Sequence, residues 1–184
     1  RLEILRTFFA NALPSWESIH NTTNNRMGRI WFCWDPQGVQ ISKIRTTRQA
    51  ITCCIHSTIW NIDFALAFVY GTNDLESRSL LWHQLHYIKS VMGFSPWLIM
   101  GDFYVIRYYS EKIRGDGFDY STIVEFQSCI EDLDIDDCPA KEYTLTWCNK
   151  RQAEKRIYGK LDRIMANEHG FSTFPDMEAE FLEF

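Results

Sequence analysis

Pro96-Trp97-Leu98-Ile99-Met100 runs apolar, without alternation, straight into Gly101-Asp102-Phe103-Tyr104-Val105. A strand with one face in water alternates apolar and polar side chains, so this run predicts a strand covered on both faces. A chain holding such a strand must supply a layer for each side of its sheet. Gly101 removes the side chain where the backbone has to turn, and Asp102 follows at the carboxyl end of a rigid element. That is where sandwich and α/β enzymes hold their chemistry. At this point Asp102 has two readings, a Gly-Asp turn at a strand end or a carboxylate aimed at a cleft.

The flanking segments supply the layers. Ile62 to Tyr70 is the longest apolar run and predicts a central strand. Gly28 to Trp34 is aromatic and closed by Asp35-Pro36, Val39 to Ile44 alternates, and a hairpin is expected to join them. With Ala50 to Ile55, these segments predict an antiparallel sheet. Leu81, Leu85, Ile88 and Met92 recur at helical spacing after Asn73-Asp74-Leu75-Glu76, with Asn73 as expected cap and Glu76 completing a capping box. Ile123, Phe126, Ile130 and Leu133 repeat the pattern after Ser121, another expected cap. Further strands are expected at Tyr143–Trp147, Arg156–Tyr158 continuing through Leu161–Met165, and Ala179–Leu182. This order predicts an α+β sandwich of two packed, mainly antiparallel sheets with helices on the outer faces, rather than a doubly wound parallel sheet.

A length of 184 residues suits one domain, here taken as 1–184. The apolar fraction of 46% excludes disorder, and no apolar run approaches the roughly 20 residues that cross a bilayer, so a soluble protein is expected. The first residue is Arg and no targeting segment follows, which predicts a piece of a longer or processed chain, incomplete as a domain. The 6 cysteines (Cys33, Cys53, Cys54, Cys129, Cys138, Cys148) have no zinc-finger spacing and read as reduced packing residues of an intracellular protein. The net charge of -5 gives no blanket attraction to nucleic acid. Charge is nevertheless uneven: Lys150, Arg151, Lys155, Arg156, Lys160 and Arg163 cluster, and this strip is either phosphate-facing or a solvated basic hairpin.

Four segments share one register near strand ends: Val69-Tyr70-Gly71-Thr72-Asn73, Trp97 to Val105, Thr144-Leu145-Thr146-Trp147, and Lys160-Leu161-Asp162-Arg163-Ile164. Together they resemble the endonuclease/exonuclease/phosphatase superfamily, the deoxyribonuclease-I-like fold. More closely, they resemble the endonuclease domain of plant LINE-type non-LTR retrotransposons. That group carries Tyr-Gly-x-Asn, Trp-Leu-x-x-Gly-Asp-Phe-Asn, Phe-Thr-Trp-x-Asn and Lys-Leu-Asp-Arg segments. The resemblance runs from about Gly28 to Phe184, and residues 1–27 match poorly.

The resemblance implies roles residue by residue. Asp102 matches the aspartate that orients or deprotonates the attacking water, Tyr70 the tyrosine that hydrogen-bonds the scissile phosphate, and Asp162 the aspartate that holds the catalytic histidine. Asn73 matches a phosphate-side asparagine, with the helix cap as its competing role. Trp147 matches a tryptophan near the nucleic-acid face, with a core aromatic as the alternative, and Lys150 and Arg151 are the candidate substrate-binding cations. The resemblance further implies Mg²⁺, DNA as partner, a nuclear location, and fusion to a reverse transcriptase in a longer parent chain.

The sequence departs from that pattern in ways that put activity in doubt. The family asparagine two residues after the aspartate is Tyr104, and a phenol cannot supply an amide's donor and acceptor in the same place. The family's asparagine and metal glutamate are expected ahead of Arg1-Leu2-Glu3-Ile4-Leu5-Arg6, and its Ser-Asp-His beyond Phe184. Glu3 and Glu17 lie in no strand-like context, so the metal ligands are unassigned. None of His20, His56, His83, His86 and His169 has the family context, and His83 and His86 are placed on the first helix in solvent-facing or packing roles. The expected function is a partial metal-dependent endonuclease domain, catalytically impaired. The alternative is a non-catalytic relic or interaction domain on the same fold.

Overall fold

The computed structural model describes residues 7, 9, 11–22, 29–93, 95–115, 119–141 and 145–182. The principal sheet has six strands in the order β3 (Val39–Thr46), β4 (Ala50–Ser57), β5 (Ile62–Tyr70), β6 (Trp97–Asp102), β12 (Asp162–Asn167) and β8 (Ile135–Asp137). All neighbours run antiparallel except β5 and β6. A parallel pair needs a crossover, and α1 (Leu75–Met92) supplies it. Among the described residues, three small sheets accompany it. β1 (Glu17–His20) pairs with β2 (Trp31–Trp34), and β13 (Ala179–Glu180) pairs with β9 (Ala140–Lys141). β10 (Trp147–Cys148), β11 (Tyr158–Gly159) and β7 (Lys112–Ile113) form the third. Two further helices among the described residues are α2 (Tyr120–Leu133) and α3 (Glu168–Thr173).

Side chains of β6 explain its lack of alternation. Trp97 and Ile99 face a core formed with Leu81, Leu85 and Ile88 of α1 and Phe126, Ile130 and Leu133 of α2. Leu98 and Met100 face the opposite core, which is closed by Ile19 and Phe32 of the β1–β2 pair and by Ala179 and Phe181. The architecture is therefore an α+β sandwich with helices on the outer face of the large sheet. At Gly101 the backbone takes φ +136°, and a Cβ there would lie 1.9 Å from the Val69 carbonyl oxygen.

Several expectations are corrected. Strand β2 bonds to β1 instead of forming a hairpin with β3, although a tight turn from the Asp35 carbonyl to the Gly38 amide joins them. Asp74, not Asn73, caps α1, its carboxylate accepting from the Ser77 N–H, and Glu76 completes no capping box with Asn73. Asp119, not Ser121, caps α2. In both cases a carboxylate adjacent to or near the expected cap sits at the register the first turn needs. Glu17 does open a strand, while Glu3, Gly28, Tyr143 and Thr144 lie outside the described residues. Arg163 and Lys160 leave the expected basic strip: Arg163 is buried against Glu111 and Asp137, and Lys160 approaches Asp137 at 3.7 Å. The cysteines are unpaired, and burial pushes the thiols of Cys53 and Cys129 up to about 11 and about 12, far from reactivity. No helix among the described residues is long and apolar enough to cross a membrane.

Candidate active site

Directly opposed residues in a sheet project to the same face, and the next row projects to the other. Tyr70, Asp102 and Asp162 are opposed across β5, β6 and β12, so their side chains emerge together on the face away from the helices. The adjacent row, Val69, Gly101 and Arg163, faces the helices instead. Asp102 and Asp162 line a cleft of about 470 Å³ that also includes Arg29, Tyr70 and Glu180.

Burial pushes the Asp102 carboxyl up to about 6, and the neighbouring Asp162 adds to the rise. Two groups oppose it, the Tyr104 N–H donating to Oδ1 at 2.9 Å and the positive charge of Arg29. That N–H bond is an Asx turn, so the turn reading and the cleft-facing carboxylate describe the same residue. Tyr104 itself adopts φ +57°, a left-handed conformation in which asparagine is much commoner than a bulky aromatic. Its hydroxyl lies 3.4 Å from that of Tyr70, and the Tyr70 hydroxyl accepts a 2.7 Å bond from Arg29 Nη1. The Arg29 guanidinium also lies 4.8 Å above the Tyr70 ring centre.

The raised Asp102 value has a consequence for stability. The folded state holds this proton more tightly than the unfolded chain, where the value is 3.8. Its favourable contribution is therefore complete below about pH 4 and is lost as pH rises through about 6. Asp102→Asn is expected to raise the thermal midpoint at about pH 7.5 and to change it little at about pH 4. A midpoint shift of equal size at both pH values in thermal melts would contradict the burial account.

The remaining sequence candidates are dispersed. Asn73, free of the capping role, is exposed and lines a second cavity of about 850 Å³, which shares Arg29 and Tyr70 with the cleft. Trp147 is 41% exposed, which corrects the core alternative. Its neighbour Thr146 accepts the Asp162 N–H at 2.9 Å, so it stands at the same end of the sheet. Lys150 and Arg151 are exposed on a loop and line neither cavity. Of the histidines, His83 lines the larger cavity. The sequence reading missed Arg29 and also Asn21, a buried residue whose Oδ1 accepts from the Arg29 and Ile30 amides, both at 3.1 Å. An arginine opening an aromatic strand was the available signal for the first, and nothing local marked the second.

A hard cation such as Mg²⁺ needs several oxygen ligands converging on one point. Among the described residues no group of three or more His, Cys, Asp or Glu side chains does so, and Glu180 shares the cleft without joining the two aspartates. The Arg29 guanidinium lines the same cleft. These residues do not fit the metal that the resemblance implies.

Comparison with solved structures decides the fold. The endonuclease domain of TRAS1, a telomere-specific non-LTR retrotransposon, superposes with a TM-score of 0.65 at 13% identity, over 84% of this chain and 68% of that one. The chain has the endonuclease/exonuclease/phosphatase fold. An endonuclease/exonuclease/phosphatase protein of Bacteroides vulgatus gives a TM-score of 0.60 at 10% identity over 89% of this chain and 69% of that one. The human nocturnin catalytic domain gives 0.54 at 12% identity over 90% and 64%. No protein-family profile matches the sequence, and no curated protein matches it. This deoxyribonuclease-I-like architecture places the paired strand ends, with Tyr70, Asp102 and Asp162, on one rim of the sandwich.

Proposed function

We propose that the chain is an endonuclease-like domain of retrotransposon descent that engages DNA phosphodiesters and whose hydrolytic machinery is impaired. The observation that carries this reading is the row Tyr70, Asp102 and Asp162 set beside a phenol, Tyr104, in place of a water-positioning amide. A carboxyl near 6 suits a general base at neutral pH, and the Tyr70 and Arg29 donors suit a phosphoryl oxygen. In-line attack also needs the water held in place and the developing charge neutralised. Tyr104 and the unconverged carboxylates argue against both. The same observation favours a second reading, a relic that only binds.

Supercoiled-plasmid nicking in Mg²⁺ tests this directly. The chain is expected to nick no faster than its Asp102→Ala variant, and Tyr104→Asn alone is not expected to restore cleavage. Clear nicking that disappears with Asp102→Ala would overturn the proposal, and rescue by Tyr104→Asn would show that only the amide is missing.

A further inference from the structure

The cavity of about 850 Å³ beside the cleft is lined by Arg29, Arg45 and Arg48 and by no acidic residue, in a chain of net charge -5. None of the ion pairs among the described residues involves these three arginines. Buried polar contacts hold the backbone that carries Arg29 and Arg48. Asn21 is fully buried, and its Nδ2 donates to the carbonyls of Thr47 at 3.3 Å and Arg48 at 2.9 Å while its Oδ1 accepts from Arg29 and Ile30. One amide thereby satisfies its full complement of bonds and ties the backbone carrying Arg29 to the loop carrying Arg48. Gln49 Nε2 donates to the Ser77 carbonyl at 2.6 Å, fastening that loop to α1. The Arg45 guanidinium lies 4.9 Å from the Tyr87 ring centre, on the wall of the same cavity.

Arginine forks recognise phosphate oxygens bidentately, and a preorganised frame spares the ordering cost of binding. Tyr70, Tyr87 and Tyr104 add aromatic surface to the same wall, and such faces accept a base regardless of sequence. The volume lies within the range of small-ligand sites.

We propose that this cavity binds the phosphate of a nucleotide unit without a divalent cation, the three guanidinium groups supplying the neutralising charge. The unit comes either from a nucleic-acid strand or from a free nucleotide. This rests on the reading of the chain as a phosphodiester-engaging domain, but it does not require hydrolysis.

Fluorescence anisotropy with a fluorescein-labelled single-stranded DNA decamer tests it. Binding should differ by less than about twofold between EDTA and Mg²⁺. The slope of log affinity against log salt should be about -0.7, the value for one strand phosphate neutralised. Arg45→Ala with Arg48→Ala should weaken binding by about tenfold or more and flatten that slope towards zero. Both side chains are exposed, and Arg45→Gln with Arg48→Gln, together with an unchanged thermal midpoint, guards against misfolding. Competition by dAMP at concentrations matching the unlabelled decamer assigns a free nucleotide, and competition by the decamer alone assigns a strand. A requirement for Mg²⁺, absence of binding, or loss in Lys150→Ala with Arg151→Ala but not in the arginine pair would each overturn the proposal. Nicking that depends on Asp102 would sink the functional reading and leave this binding result standing. Loss of EDTA-resistant binding would do the reverse.

Discussion

Arg163→Met is expected to destabilise the fold by about 3–5 kcal/mol, the range for removing one partner of a buried ion network. The side chain is 0% exposed, with Nη1 2.8 Å from Asp137 Oδ2 and Nη2 against Glu111 Oε2. Glu111 Oε2 also accepts from the Arg107 and Tyr108 amides at 2.6 and 3.2 Å, and Asp137 Oδ2 lies 3.3 Å from Arg107 Nη1. Methionine fills similar space but leaves two largely buried carboxylates short of a cation. Urea unfolding should show the loss as a lower midpoint, and adding Glu111→Gln with Asp137→Asn should recover part of it, because the substitutions act on one network. A loss below about 1 kcal/mol would mean that water screens the network far more than its burial implies.

Gly101→Ala is expected to cost about 3 kcal/mol or more, and here the mechanism is steric. At φ +136° any L side chain is strained, and the added Cβ would meet the Val69 carbonyl oxygen at 1.9 Å and its carbon at 2.9 Å. These are backbone atoms of the parallel neighbour, so relief requires β5 and β6 to separate. Separation would also part Tyr70 from Asp102 one residue further on. The variant should therefore lose thermal stability, and carboxyl-carbon NMR of the folded fraction should show Asp102 titrating lower than in the parent chain. A variant of unchanged midpoint would show that the strand pair tolerates a shift this structure does not allow.

The reach of the sequence followed the length of its patterns. Strands β5 and β6 and the buried faces of α1 and α2 were legible because each extends over enough residues for a period, or its absence, to register. The two-residue strands β7, β9, β10 and β11 have no period to read. Asn73 and Asp74 are both good cap formers, and only the helix register chooses between them. Tyr70, Asp102 and Asp162 were grouped only through the resemblance of their segments to a known family, whereas Asn21 acts on carbonyls 26 and 27 positions away, a relation no local window contains. Arg163 was misplaced because a run of basic residues says nothing about which one points inward.

Neighbouring rows of the sheet answer to different demands. Tyr70, Asp102 and Asp162 open to the cleft, while Val69, Gly101 and Arg163, one residue before or after them, lock the strands to one another and to the helical layer. Substitutions in the first row can therefore accumulate at small cost to the fold, whereas those in the second cannot. Among diverged copies of such a chain, the glycine and the buried arginine are expected to outlast the aspartates beside them, because the sandwich needs the first two to fold.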